Sequence, residues 1–302
     1  MKDLDRELEG GSPKWTPDGG KPPWLRRTAL TPEVWVQMKA LLEGLSLATI
    51  CEEAECPNTG ECFSRHTATF LILGRICTRN CRFCAVEHGQ PAPMDFAEPQ
   101  HLAEAVQQLQ LRHVVITSVT RDDLADGGAA HFAACIEAVH SRTLATVEVL
   151  VPDFQGEDTA VRLVLDARPE VFGHNLEVVP RLYPHIRSQA SYARSLGLLG
   201  RAKQLNPEGL TKSGLMVGVG EVESEVLAVL RDLRSACCDL LTIGQYLRPS
   251  AGHYPVSEYV APESFARYAQ AARSMGFRGV LCGPFVRSSY HARELLDGAV
   301  RP

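Results

Sequence analysis

Ala68-Thr69-Phe70-Leu71-Ile72-Leu73-Gly74-Arg75-Ile76-Cys77-Thr78-Arg79-Asn80-Cys81-Arg82-Phe83-Cys84 is a strand-length apolar run that breaks at Gly74 and passes into a loop carrying three thiols. The run stays apolar almost without interruption through Leu73, as a strand covered on both faces does. Similar runs recur at Val114–Val119, Val147–Val151, Val171–Leu176, Leu215–Val219, Leu240–Tyr246 and Gly279–Leu281. Helical patterns separate most of them. Val222, Val226, Val229, Leu230 and Leu233 share one apolar face, and Phe265, Tyr268, Ala269, Ala272 and Met275 share another. Strand then helix, repeated about every thirty residues, predicts right-handed crossovers and a parallel sheet. About six such units fit, too few for a closed eight-fold barrel. The expected fold is therefore α/β: a partial (β/α)6 TIM-like barrel over residues 67–283, with an N-terminal extension at 1–66 and a C-terminal one at 284–302. Chemistry in such folds sits at the C-terminal strand ends, where the loop of Cys77–Cys84 begins.

Away from the barrel the signals change. Residues 1–30 are rich in Gly, Pro and charge, which excludes a regular helix or central strand and predicts an extended arm tacked down by Trp15 and Trp24. A helix is expected from Pro32 to Leu45, with Thr31 as its N-cap. Of the 302 residues 45% are hydrophobic and 22% charged, a balance that excludes a disordered chain. The formal net charge of −5 excludes a general pull toward nucleic acid or an anionic membrane. No apolar run reaches the roughly eighteen residues of a membrane span. The start, Met1–Gly10, has no apolar core and several acids, so no secretory or organelle address is expected and the chain reads as cytoplasmic.

Six of the ten cysteines fall between positions 51 and 84. In a long chain without an export signal, that crowding points to metal or redox chemistry rather than disulfides. Cys77, Cys81 and Cys84 follow the spacing C-x3-C-x2-C. Three thiolates so close can take three corners of a [4Fe–4S] cube and leave the fourth iron open. Cys51, Cys56 and Cys62, spaced C-x4-C-x5-C in a stretch that reads as loop or short helical turns, again leave one corner without a ligand. The competing reading is a Cys3His zinc site recruiting His66 or His88, although structural zinc usually shows paired C-x2–4-C knuckles. Cys135, Cys237, Cys238 and Cys282 read as small buried hydrophobes.

The second triplet, with Phe83 before its last cysteine, resembles the motif of radical S-adenosylmethionine (SAM) enzymes. Both triplets together resemble the lipoyl synthase family. The likeness runs from about Lys21 to Ala292 through Lys-Pro-Pro-Trp-Leu-Arg (21–26), Cys-Pro-Asn (56–58), Cys-Thr-Arg-Asn-Cys (77–81) and Val-Thr-Arg-Asp-Asp-Leu-Ala-Asp-Gly-Gly-Ala (119–129). It continues in His-Asn-Leu-Glu (174–177), Thr-Lys-Ser-Gly-Leu-Met-Val-Gly (211–218), Gly-Gln-Tyr-Leu-Arg-Pro-Ser (244–250) and Arg-Ser-Ser-Tyr-His-Ala (287–292). The chain departs from the family pattern at Phe63, where Trp is frequent, and at Arg82, where Pro is frequent.

The resemblance implies a [4Fe–4S] cube on Cys77, Cys81 and Cys84, with SAM on its open iron. It implies an auxiliary [4Fe–4S] cube on Cys51, Cys56 and Cys62, with a serine of the Arg-Ser-Ser-Tyr segment as fourth ligand. Of Ser288 and Ser289 the second is favoured; on local pattern alone it reads as the N-cap of a helix beginning at Tyr290. An oxygen ligand should hold iron less firmly than a thiolate, which suits a cube meant to be dismantled. The implied reaction inserts two sulfurs at C6 and C8 of an octanoyl chain. Two SAM molecules per product generate the radicals, and the auxiliary cube is consumed as the sulfur source. The implied partners are an octanoylated lipoyl carrier domain or glycine-cleavage H protein, an electron donor such as flavodoxin or ferredoxin, and a cluster-repair protein; neither nucleic acid nor membrane is implied.

Among other polar groups, Ser118, Asp122, Asn175 and Glu177 fall at or just past expected strand ends, and Asn175 and Glu177 are candidate SAM or substrate contacts. Lys21, Arg26 and Arg27 form a small basic cluster that could dock the carrier. Gly218-Val219-Gly220 lacks the third glycine of a dinucleotide loop, since position 223 is Glu.

Overall fold

The apolar runs become neighbouring strands. The computed structural model describes residues 20–25, 39–54, 56, 58–64 and 69–300. Its eight-stranded sheet follows chain order: β1 (Ala48–Thr49), β2 (Thr69–Ile72), β3 (His113–Ser118), β4 (Thr146–Leu150), β5 (Val171–Gly173), β6 (Leu210–Val217), β7 (Leu240–Gln245) and β8 (Gly279–Gly283). β1 runs antiparallel to β2, and every later pairing is parallel. Each parallel step crosses over through a helix: Glu98–Gln108, Ala129–Arg142, Asp158–Asp166, Tyr192–Leu205, Glu223–Ser235 and Pro262–Ser274. The first and last strands lie at opposite ends of the sheet order, so the barrel stays open on one side, as the number of units predicts.

The helix layer is held by apolar stripes, Leu102 and Val106 on one helix and Phe132, Ile136 and Val139 on the next, all buried against the sheet. Val226, Val229, Leu230 and Leu233 are buried as expected, but Val222 is 54% exposed. It precedes the helix, and its N–H is taken by the Glu225 carboxylate at 2.9 Å. Residues 39–44 are helical. The start of that helix at Thr31 and Pro32 lies outside the described residues, as do Trp15, Arg26, Arg27 and His66. Cys135 and Cys238 are buried and Cys282 is half-buried, but Cys237 is exposed, in a left-handed turn after its helix.

β6 starts at Leu210, five positions before the apolar run that signals it. Thr211, Lys212 and Ser213 look like loop residues but are buried, because alternate side chains of a barrel strand face its interior. Lys212 Nζ donates to Glu148 Oε1 of β4 at 2.7 Å, and His113 Nε2 of β3 lies 3.7 Å from Glu148 Oε2. Toward the strand starts, Val171, Leu210 and Leu240 pack on Leu295, Leu296 and Ala299 of helix Ala292–Val300, which stoppers that end. The other end is left for the site.

Candidate functional site

The turn after β2 launches the second cysteine triplet. Leu73 has φ +67° and is pinned on both sides: its N–H donates to Glu98 Oε2 at 2.9 Å, and its carbonyl accepts from Arg121 Nη1 at 3.1 Å. Gly128 packs so closely on Leu73 that a Cβ there would collide with its side chain. The loop beyond is clamped from several directions. Arg79, nearly buried, donates to Asp122 at 2.6 and 2.8 Å and to Asp153 at 2.7 Å. Asn80 N–H donates to Gln189 Oε1 at 2.7 Å, Arg82 N–H to Ile186 O at 2.9 Å, and His253 Nε2 to Cys84 O at 3.0 Å. Burial alone would raise the Asp153 carboxyl, but the Arg79 and Arg194 guanidinium groups hold it down at about 2.

Cys51 and Cys62 sit on two short helices, Ile50–Glu53 beside β1 and Thr59–Ser64, and Cys56 lies between them. Thr59 Oγ1 donates to the carbonyls of Cys51 at 3.0 Å and Cys56 at 2.8 Å, joining the two helices. Asn58 Nδ2 reaches across to Phe285 O at 2.6 Å. Tyr290 Oη donates to Glu61 at 3.0 Å, and His291 Nε2 lies 3.2 Å from the same carboxylate. The segment after β8 thus returns along the open side of the barrel and lies on the first triplet. It also crosses β7 at Gly244, where any Cβ would be driven into the Val286 carbonyl.

One cavity of about 540 Å³ is lined by Cys51, Cys56, Cys62, Cys77, Cys81 and Cys84, and by Ser288 and Ser289. Among the described residues no group of three or more His, Cys, Asp or Glu is arranged to hold a metal ion, and the six thiols share the lining of the one cavity. His88, a candidate for the zinc reading, is exposed and absent from that lining. Backbone amides point at the sulfurs. Cys77 Sγ accepts from Arg79 N at 3.4 Å and from Thr120 N at 3.3 Å. Val86 serves Cys84 in the same way, and Thr69 serves Cys51. Burial pushes the Cys51 thiol up to about 12, with neighbouring Cys56 adding to it, and pushes Cys84 up to about 12. Cys81 is also raised by burial, against the pull of Arg187. Thiols on a cavity wall with backbone amides donating to their sulfurs fit an iron–sulfur group, whose cationic core would stabilise the thiolates.

Asn175 and Glu177 reach this cavity too. β5 ends early, and the chain rejoins β6 through Glu177, at φ +66°, whose N–H donates to Gly214 O at 3.0 Å and whose carbonyl accepts from Met216 N at 2.7 Å. Gly214 is required, since a Cβ would meet Asn175 Oδ1 and Thr242 Oγ1 at 2.8 Å each. Asn175 Nδ2 donates to Glu177 Oε1 at 3.0 Å and to Ser288 Oγ at 2.5 Å. Burial raises the Glu177 carboxyl, opposed by Arg187 and that amide. Ser118 Oγ, buried and without a partner among the described residues, lines the same cavity. Asp122 differs from the other strand-end candidates because it is spent on Arg79. Ser289 is no N-cap: the helix begins at Ala292, after His291 at φ +51°. The amides of Gly218 and Val219 are consumed by Glu221 at 2.6 and 3.0 Å, so this turn offers them to no phosphate. Asp153 and Arg187 carry no signal in the sequence, each being a single polar residue in an ordinary loop.

Residues 71–233 match the Radical SAM superfamily. The fold overlays on HydG, a maturase of the [FeFe]-hydrogenase, with TM-score 0.58 at 13% identity, covering 89% of this chain and 70% of that one. It overlays on methylornithine synthase (PylB) with TM-score 0.55 at 14% identity, covering 78% and 73%. These two likenesses show the fold alone. Curated relatives are far nearer in sequence. The lipoyl synthase of Caldanaerobacter subterraneus is 57% identical over 272 residues, 90% of this chain and 95% of that protein. That of Rubrobacter xylanophilus is 53% identical over 283 residues, 93% and 88%. That of Syntrophotalea carbinolica is 56% identical over 275 residues, 90% and 89%. Identity at this level along almost the whole length, on a radical SAM barrel, means that the chain belongs to the lipoyl synthase family.

Proposed function

We propose that this chain inserts two sulfur atoms at C6 and C8 of an octanoyl group carried on a protein lysine, forming the lipoyl cofactor. The observation that supports it most is the shared cavity: two separate cysteine triads face one volume, with Ser289 on the same wall. Cys77, Cys81 and Cys84 would hold the radical SAM [4Fe–4S] cluster. Cys51, Cys56, Cys62 and Ser289 would hold the auxiliary one, whose sulfides are the sulfur substrate. The cluster and two SAM per product supply the one-electron chemistry that removes hydrogen from an unactivated C–H bond, which no side-chain acid or base can do.

The protein's own part is placement and exclusion. Ser118 offers a hydroxyl with no partner among the described residues, and Glu177 a carboxylate backed by Arg187 and oriented by Asn175; these suit the polar groups of SAM. Val119, Leu150, Val151 and Met216 give the cavity an apolar stretch suited to an alkyl chain. The Arg79–Asp153–Arg194 network fixes the loop that would bear the radical SAM cluster. Lys21 stands exposed at the cavity's edge, where a basic group suits an acidic carrier such as a lipoyl domain or H protein. The reaction would run in the cytoplasm, fed by a flavodoxin- or ferredoxin-like reductant, with a cluster-repair protein restoring the consumed cube. Among the described residues no helix is long and apolar enough to cross a membrane.

Anaerobic reconstitution followed by iron and sulfide assay tests the ligand sets: about eight of each per chain are expected for two cubes. Replacing Cys51, Cys56 and Cys62 by Ala should leave about four of each, keep SAM cleavage, and abolish sulfur addition to an octanoylated carrier peptide. Dithiolane product from that variant would overturn the assignment.

A further inference from the structure

We propose that Glu61 is a positioning residue that sets Ser289 against the auxiliary triad, joining the cysteine helix to the returning C-terminal segment. This rests on the reading of Ser289 as a ligand. Glu61 precedes Cys62 on helix Thr59–Ser64, and its carboxylate is gripped by the two residues that follow Ser289. Tyr290 Oη lies 3.0 Å from Oε1 and 3.1 Å from Oε2, and His291 Nε2 lies 3.2 Å from Oε1. The residue before Ser289 is held from elsewhere: Ser288 Oγ is bonded by Asn175 of the barrel. Ser289 is therefore flanked by one neighbour fixed to the barrel and one fixed to the cysteine helix, and it lines the cavity that the triad lines.

The arrangement answers a problem posed by the ligand chemistry. A serine oxygen binds iron less firmly than a thiolate, so its occupancy depends on being held in place before it binds. Asn58 ties Phe285, four residues upstream, and Asn175 ties Ser288, so both act ahead of Ser289. Glu61 adds the hold on the downstream side. It does so from the residue beside Cys62, so a shift of the cysteine helix and a shift of Ser289 become one motion.

The test uses the full chain, anaerobically reconstituted with both clusters and kept in SAM, comparing wild type with Glu61→Ala, Glu61→Gln, Ser289→Ala and Glu61→Ala/Ser289→Ala. The readouts are the rate of iron release to a ferrous chelator and the Mössbauer signature of an oxygen-ligated iron, the latter taken in a Cys77→Ala/Cys81→Ala/Cys84→Ala background because SAM occupies the open iron of the other cube. Glu61→Ala should speed loss of the labile iron on the order of 10- to 100-fold, the usual cost of removing an outer partner of a metal ligand, and erase the oxygen-ligated signature. Ser289→Ala should do the same, the double variant should be no faster than either, and Glu61→Gln should recover part of the effect. If Ser289→Ala changes nothing, the ligand assignment itself fails. If Ser289→Ala acts but Glu61→Ala does not, or the two effects multiply in the double variant, the positioning role is overturned. Should Glu61→Ala not hold its clusters at all, Tyr290→Phe, which removes one hydroxyl, carries the same comparison with the same two outcomes.

Discussion

Arg79 stands between two of the cysteines and contributes no sulfur, yet its position decides where they point. Its guanidinium is 5% exposed and bonded to Asp122 and Asp153, and Asp153 is fully buried with Arg194 on its other oxygen. Removing Asp153 leaves Arg79 paired with Asp122 alone, with one buried N–H unsatisfied, and takes the carboxylate from Arg194. Asp153→Ala should lower unfolding stability by about 1–3 kcal/mol, read by urea denaturation, and should lower iron loading at Cys77–Cys84 in parallel. His174 nearby behaves in the opposite sense. Its Nδ1–H donates to Val151 O and its Nε2 accepts from Ser195 Oγ, so it is built in as the neutral ring. Burial, with Arg187 adding, pushes its pKa down to about 4 from an ordinary 6.5. Between those values the unfolded chain binds the extra proton, so stability is complete above pH 6.5 and falls as pH drops toward 4. The loss should reach about 3 kcal/mol. Urea titrations of the cluster-free chain at pH 7 and pH 5 should show that slope, and His174→Gln should flatten it. An identical slope in the variant would assign the effect elsewhere.

Among the elements, the segment between β8 and helix Ala292–Val300 does most to assemble the site, and it depends on a missing side chain in another strand. At Gly244 the Val286 carbonyl occupies the space of a Cβ, with the Arg287 guanidinium 3.2 Å away. Gly244→Ala should lift this segment off β7. Auxiliary-cluster iron should fall while the cube on Cys77, Cys81 and Cys84 stays, taking iron from about eight to about four per chain in the reconstitution assay. The sequence discloses the parallel strands, the crossover helices at Glu223–Ser235 and Pro262–Ser274 and both thiol triplets, because buried strands are apolar throughout and ligand spacing is a local property; it does not disclose the two-residue antiparallel β1. It hides the lower half of β6, since Lys212 faces the barrel interior, while Thr211 and Ser213 on the opposite face are buried with their hydroxyls bonded to Asp239 and to the Leu176 amide. It also hides what Asn175 does: an amide at a strand end reads as a ligand contact, and only the folded chain brings Ser288, 113 residues away, to it. Glu61 escapes for the same reason, its partners lying 229 and 230 residues further on.

Across the whole molecule the barrel interior is stacked in three levels: an apolar stopper under the strand starts, a charged layer of His113, Glu148 and Lys212, and the reaction cavity. The middle level is the least expected energetically. Glu148 and Lys212 are each about 2–3% exposed, and two ions taken out of water repay their desolvation only when paired. Burial would raise the Glu148 carboxyl, but Lys212 and His113 together hold it below its ordinary value of 4.5. That stabilisation is present at neutral pH and is lost as pH falls below 4.5 through the folded value. Breaking the pair from one side should therefore cost more than removing it. Glu148→Leu, which strands the ammonium, and Lys212→Met, which strands the carboxylate, should each destabilise by about 3–5 kcal/mol. Glu148→Leu/Lys212→Met fills the layer with apolar groups of similar size and should recover most of that loss, with a weaker decline in acid. A double-mutant cycle from urea midpoints at pH 7 measures the coupling. Single variants that are each nearly silent, or a double variant as unstable as the sum of the two, would mean that the layer is hydrated and its charges are not held by one another.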